Sequence, residues 1–187
     1  RLVKFKVPAF KIGSGECNNY PLVDYIAKFK KPIILSTGMN TISSIVKTTK
    51  IIKKYKTPFS LLHCVNIYPT PSKLMNLGAI NDLIKKFPKI PIGLSDHSSG
   101  ISISLGAVAL GASIIEKHFT YSKKIKGPDI SSSMDPKDLK MLISRQINDE
   151  YKNSLDQLSK NQILKEIEKI KVEEVPENLV EEEVKIL

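Results

Sequence analysis

The sequence predicts an α/β fold, about the last five βα units of a (β/α)8 TIM barrel, followed by a charged C-terminal extension. Three observations carry that reading. Short apolar runs alternate with longer amphipathic ones from residue 7 to about 150. The repeat is roughly 22 to 32 residues, the length of a strand–helix crossover unit. Each short run also ends in polar or reactive side chains, where barrel enzymes gather their sites.

The elements follow in order. VPAFKIG (7–13) reads as the first strand and YPLVDYIAKF (20–29) as its helix. KPIILST (31–37) is the second strand. TISSIVKTTKIIKKY (41–55) follows it, with Ile42, Ile45, Val46, Ile51 and Ile52 near helical spacing and lysines between them. TPFSLLHCV (57–65) and LGAINDLIKKF (77–87) form the third pair, and IPIGLSD (90–96) and ISISLGAVALG (101–111) the fourth. ASIIEKHF (112–119) is the fifth strand. Four of the five strand runs carry proline at or near the start, where a missing N–H costs a ladder least. Thr41 and Ser99 precede helices as candidate caps. The runs are too short for helices and apolar enough for parallel strands covered on both faces. Five strands leave two alternatives, an open sheet or five-eighths of a barrel. Chemistry at the end of every strand favours the barrel, since an open sheet concentrates its site at one switch point. A partial barrel should leave two open edges and an exposed apolar face. The boundary of the barrel part falls near residue 145. Residues 146–187 turn Glu- and Lys-rich, with VEEVPENLVEEEV at 172–184.

Composition narrows the function. The 187 residues are 41% hydrophobic and carry a net charge of +10, but only Arg1 and Arg145 are arginine. Lysines are dispersed, without the clustered arginine and interleaved aromatics of a nucleic-acid surface, so no nucleic-acid partner is expected. No apolar run reaches the roughly 18 residues of a membrane span. No charged-then-apolar leader follows Arg1, which suggests a cytoplasmic chain that starts part-way through a domain. Cys17 and Cys64 lack metal-ligand or redox spacing and read as reduced thiols. No phosphate-binding glycine loop of the nucleotide type occurs.

Residues two apart on a strand share a face. Ser14 then pairs with Glu16, Asn66 with Tyr68, Ser95 with His97, and Glu116 with His118, while Lys117 points outward to a helix or solvent. His97 and His118 end successive strands. With oxygens from water and substrate they suit a divalent ion such as Mn2+, Mg2+ or Zn2+; otherwise each is a hydrogen-bonded rim histidine. Lys11, Ser14, Asn66 and Ser95 offer one cation and three neutral groups, a set for a phosphate or carboxylate; singly, each is an ordinary strand-end cap. Glu16 and Glu116 are acids in apolar runs, where such groups tend to be paired or functional; a salt bridge to Lys11 would account for Glu16. His63 and Cys64 face opposite ways and make a poor nucleophilic pair; a packed, structural His63 is expected.

KIGSGE (11–16), ILSTGM (34–39), HCVNIYPTP (63–71), GLSDHSSG (93–100), EKHFT (116–120) and GPD (127–129) together resemble the sialic acid synthase family over about residues 7–145. The resemblance implies that Lys11, Ser14, Asn66 and Ser95 hold phosphoenolpyruvate, and that His97 and His118 hold Mn2+ or Mg2+. It implies that Tyr68 and Asp129 contact an N-acetylated amino sugar, with Glu16 and Glu116 beside the reacting centre. The expected reaction condenses phosphoenolpyruvate with N-acetylmannosamine or a related sugar and water, giving a sialic acid and phosphate. Full-length members are expected to be homodimers. This chain lacks about three upstream βα units that the family carries. Its end gives no convincing match to the family's antifreeze-like domain, and Ile130 stands where a histidine is common. Two alternatives remain beside it: another phosphoenolpyruvate-dependent 3-deoxy sugar acid synthase, and an inactive barrel fragment with a structural role.

Overall fold

A computed structural model of the protein describes residues 2–169. The chain divides into two compact units, Arg1–Ile143 and a second that begins at Ser144. In the first, β1 (Phe10–Ile12) leads to α1 (Tyr20–Ala27), β2 (Ile33–Ser36) to α2 (Ile42–Lys54), and β3 (Phe59–Cys64) to α3 (Gly78–Lys86). Then β4 (Ile92–Asp96) leads to α4 (Ser102–Ala109), and β5 (Ile114–Lys117) precedes α5 (Pro136–Lys169). Every strand and the first four helices fall inside the runs read from the sequence.

The five strands form one parallel sheet in chain order, β1-β2-β3-β4-β5. Register assigns two faces. Phe10, Ile12, Ile33, Leu35, Phe59, Leu61, Ile92 and Leu94 lie on the helix side. All are buried, and most join Val23, Ala27, Ile45, Ile52, Ile80 and Leu83 of the helices in one core. Burying such a leucine or isoleucine contributes about 1.5–3 kcal/mol, so this convex face fixes the sheet. The concave side presents Lys11, Ile34, Ser36, Ser60, Leu62, Cys64, Gly93, Ser95, Ile114 and Glu116. Lys11 on one edge strand reaches Glu116 on the other at 2.5 Å. The sheet is therefore curled, an α/β half-barrel of five βα units.

Four local features bear on the readings above, and two of those readings need correction. The concave face is mixed rather than the exposed apolar surface expected, with Ile34 and Ile114 part-exposed on it. Its polar members are Lys11, Ser36, Ser60, Ser95 and Glu116, and Leu62 is fully buried. Thr41 does cap α2, accepting from the Ser44 N–H at 3.3 Å. Ser99 caps nothing: Ile101 precedes α4, and the Ser99 hydroxyl donates to the Ser131 carbonyl. Finally, the extension opens as a continuation of α5. Its start is specified by Pro136 in the first turn and by reciprocal bonds, Asp138 N–H to Asp135 Oδ1 at 2.9 Å and Asp135 N–H to Asp138 Oδ2 at 3.3 Å. The acidic stretch 172–184 lies outside the described residues. Among the described residues, no helix is long and apolar enough to cross a membrane.

Candidate active site

The concave face ends in a polar cluster at the C-termini of the strands. Lys11 rises from β1 and donates to both carboxylate oxygens of Glu116, on β5. The Ser95 hydroxyl, from β4, donates to Glu116 Oε1 at 2.7 Å. Burial alone would push the Glu116 carboxyl up, but the Lys11 and Ser95 bonds outweigh it and hold the group below the usual carboxylate range. Glu116 is therefore ionised at neutral pH.

Beside this pair lies a second group. Asn66 Nδ2 donates to Ser14 Oγ at 2.8 Å, and the Cys64 thiol lies 3.0 Å from Asn66 Oδ1. Gly38 makes that approach possible. A Cβ there would stand 2.5 Å from Asn66 Oδ1 and 2.7 Å from the Cys64 carbonyl oxygen. Asn40 ties the two loops together, donating to the carbonyls of Ser14 and Gly38. Ser14 and Glu16 do not share a face as strand alternation implied, because Ser14–Glu16 is a turn of 3-10 helix. Ser14 faces Asn66, while Glu16 is exposed and accepts from Asn19 Nδ2 at 2.6 Å. No hydrogen bond among the described residues joins Glu16 to Lys11, so the cation pairs with Glu116 instead.

The imidazoles form the third group. His97 and His118 have ring centroids 5.9 Å apart. Tyr68 stacks on His97 at 4.0 Å and meets His118 edge-on at 5.6 Å. His97 Nδ1 lies 2.7 Å from the Val65 carbonyl, which can only accept, so Nδ1 carries the proton. Burial pushes the His97 pKa down, against the pull of that carbonyl, and the ring is neutral. Nε2 then offers a lone pair toward the Tyr68 hydroxyl at 3.0 Å. Tyr68 keeps its proton, since burial and then the nearby Cys64, Asp129 and Glu116 push its pKa up. His118 Nδ1 stands 3.9 Å from Asp129 Oδ2. A cavity of about 200 Å³ is lined by Ser95, His97, Glu116, Lys117 and His118. A wider cleft of about 550 Å³ runs past His118 and Tyr121 to Asp129.

The donor set fits a divalent ion. A neutral imidazole with Nδ1–H fixed by a backbone carbonyl is the usual state of a metal-ligating histidine, and His97 is in it. Among the described residues no third His, Cys, Asp or Glu completes a cage, so an ion here would take its remaining ligands from water and substrate. His63 is elsewhere, buried on the helix side with Nε2 2.7 Å from the Met75 carbonyl. Its role is packing, and the His63–Cys64 pair is no nucleophile.

Two residues at the site escaped the sequence reading: Gly38 and Asp96. Alternation places Asp96 and Lys117 opposite the histidines, and the structure joins them there at 3.1 Å with both side chains fully buried. The Lys117 side chain thus points to the helix side, one of the two directions expected, and only the rest of the residue borders the cavity.

Residues 1–158 match the NeuB family. Among curated relatives, the N,N'-diacetyllegionaminic acid synthase of Campylobacter jejuni is 44% identical over 158 residues, 82% of this chain and 47% of that protein. The human N-acetylneuraminate-9-phosphate synthase is 41% identical over 142 residues, 76% of this chain and 40% of that protein. The crystal structure of an N-acetylneuraminic acid synthetase from Leptospira borgpetersenii, in complex with citrate, superposes with a TM-score of 0.75 at 37% identity. That superposition covers 98% of this chain and 59% of the other. The chain spans less than half the length of these two curated relatives. A half-barrel with this polar rim, matched by the family over 158 residues, has one assignment: the chain belongs to the NeuB family.

Proposed function

We propose that this chain carries the phosphoenolpyruvate-binding and metal-binding half of a synthase that makes a sialic acid or a relative such as legionaminic acid. The observation that supports it most is the joining of Lys11, Ser95 and Glu116 across the curled sheet, beside the Ser14–Asn66 pair. In this reading Lys11 supplies the charge that receives the phosphate, and Ser14, Asn66 and Ser95 orient its oxygens. A bound Mn2+ or Mg2+, held by His97 and His118, would supply Lewis acidity toward the sugar aldehyde. Tyr68 and Asp129, on the wide side of the cavity, hold the amino sugar. Carbon 3 of phosphoenolpyruvate attacks the aldehyde carbon, water adds at carbon 2, and phosphate leaves by C–O cleavage. Ionised Glu116 stands where a proton must be managed. Glu16 reaches the reacting centre only if the 3-10 turn rearranges on binding. The assembly is proposed to be cytoplasmic and homodimeric.

The test is phosphate release from phosphoenolpyruvate, N-acetylmannosamine and Mn2+ by the full-length gene product, alongside phosphoenolpyruvate binding by the 187-residue chain. Turnover that requires metal and is lost in His118→Gln is expected, with weak binding and no turnover by the short chain. Phosphoenolpyruvate binding that Lys11→Met leaves unchanged would overturn the assignment of the phosphate site.

A further inference from the structure

Asp96 and Lys117 are the last residues of β4 and β5 and are register partners in the parallel ladder. Both side chains are fully buried on the helix side, with Lys117 Nζ 3.1 Å from Asp96 Oδ2. Both groups have further partners. The Ser104 hydroxyl, in the first turn of α4, donates to Asp96 Oδ2 at 2.6 Å, and the Ser98 N–H donates to Asp96 Oδ1 at 2.7 Å. Lys117 Nζ donates to the Ser98 carbonyl at 2.6 Å. Four groups from two strands, one loop and one helix therefore meet at one buried point.

A buried ion pair is a poor means of stabilising a fold, because desolvation consumes most of its attraction. Its better-attested use is to fix one geometry. Here the geometry it fixes is specific. His97 follows Asp96 directly and His118 follows Lys117. The histidines project to the opposite face, where their rings stand 5.9 Å apart. The ladder ends at this rung, so no further backbone pairing holds the two strands together where the imidazoles emerge.

We infer that the buried Asp96–Lys117 pair, with Ser104 and Ser98, is a positioning device that sets the separation of His97 and His118 for one divalent ion. The inference rests on the metal reading above. Lys117 acts through the strand ends and touches neither metal nor substrate. Of the phosphate-holding groups, Lys11, Ser14 and Asn66 lie on other strands and loops, whereas Ser95 is one residue before Asp96 and meets Glu116 one rung earlier in the ladder.

The experiment is a titration of Mn2+, followed by electron paramagnetic resonance, into the 187-residue chain and its Lys117→Met and Ser104→Ala variants. Phosphoenolpyruvate binding is measured in parallel without metal. Partners beyond the ligands of a metal typically change affinity by roughly 10- to 100-fold. Lys117→Met is expected to weaken Mn2+ by at least about tenfold, with a clearly smaller loss of phosphoenolpyruvate affinity, since only Ser95 of the phosphate-holding groups adjoins the pair. Ser104→Ala, which removes one bond and leaves the ion pair, should move in the same direction by less. If Lys117→Met does not fold, Ser104→Ala decides alone. Wild-type Mn2+ affinity in a folded variant, or equal loss of both ligands, would overturn the positioning role while leaving the metal reading intact. Failure of the wild-type chain to bind Mn2+, or binding unaffected by His97→Gln, would remove both.

Discussion

Glu116 sits between two opposing influences, and its titration reports which one wins. Burial favours the neutral acid, whereas hydrogen bonds from Lys11 and Ser95 favour the carboxylate and prevail. A carboxyl held below its unfolded value, about 4.3 for glutamate, contributes stability that is fully present above that value. The contribution is lost as pH falls through the lower folded value. Glu116→Gln should therefore be less stable than the wild type at pH 7, with the gap narrower at an acid pH below about 4.3. The effect will be small, about 1 kcal/mol or less, because the Lys11 and Glu116 side chains are 34% and 43% exposed. Urea unfolding at the two pH values measures it. A gap that widens on acidification would mean that the ion pair is not what holds the acid ionised.

At the level of elements, caps separate a functional polar residue from a bystander. Thr41 accepts the Ser44 N–H and closes the first turn of a thirteen-residue helix, so Thr41→Ala should cost about 1 kcal/mol. Ser99→Ala should cost under about 0.5 kcal/mol, since its hydroxyl meets only an exposed carbonyl contact. Chemical denaturation of the two variants checks both. The same pair marks the limit of what the sequence discloses. Strands and helices were legible because one face of each strand is apolar in phase with the helices that cover it, as in Phe59, Leu61 and Ile80. Ser99 looked like a cap because a serine before an apolar run is a local signal, while the chain places α4 two residues later. Ser14 and Glu16 were misread as facing together because period two ends where the strand does, at Ile12. α5 escaped notice because its polar residues surround it without a strong apolar stripe. The cluster of Lys11, Ser95 and Glu116 was legible as residues but not as partners. Lys11 and Glu116 are 105 positions apart, and only the curl of the sheet unites them.

At the scale of the molecule, a half-barrel has a problem that a closed one lacks. Among the described residues, β1 and β5 each pair with a single neighbour and stand at the two edges of the sheet. An unpaired strand edge offers a row of N–H and C=O groups to any other chain. The concave face mixes polar residues with Ile34, Leu62 and Ile114, so edge pairing is the sharper hazard. Exposed Leu2, Val3 and Phe5 precede β1 and add apolar surface on that side. Lys11 is drawn inward to Glu116, so it cannot serve as the outward charge that blunts an edge. The 187-residue chain should therefore self-associate as its concentration rises, through β1, β5 or both. Sedimentation velocity from about 5 to 200 μM, the range where exposed edges begin to associate, should show a rising average mass. Ile114→Lys puts an inward-pointing charge on β5 and should reduce the association. It is also expected to leave the helix-side core intact, since Ile114 lies on the concave face with Glu116. A single monomeric species across the whole range would mean that the edges are protected within the chain itself.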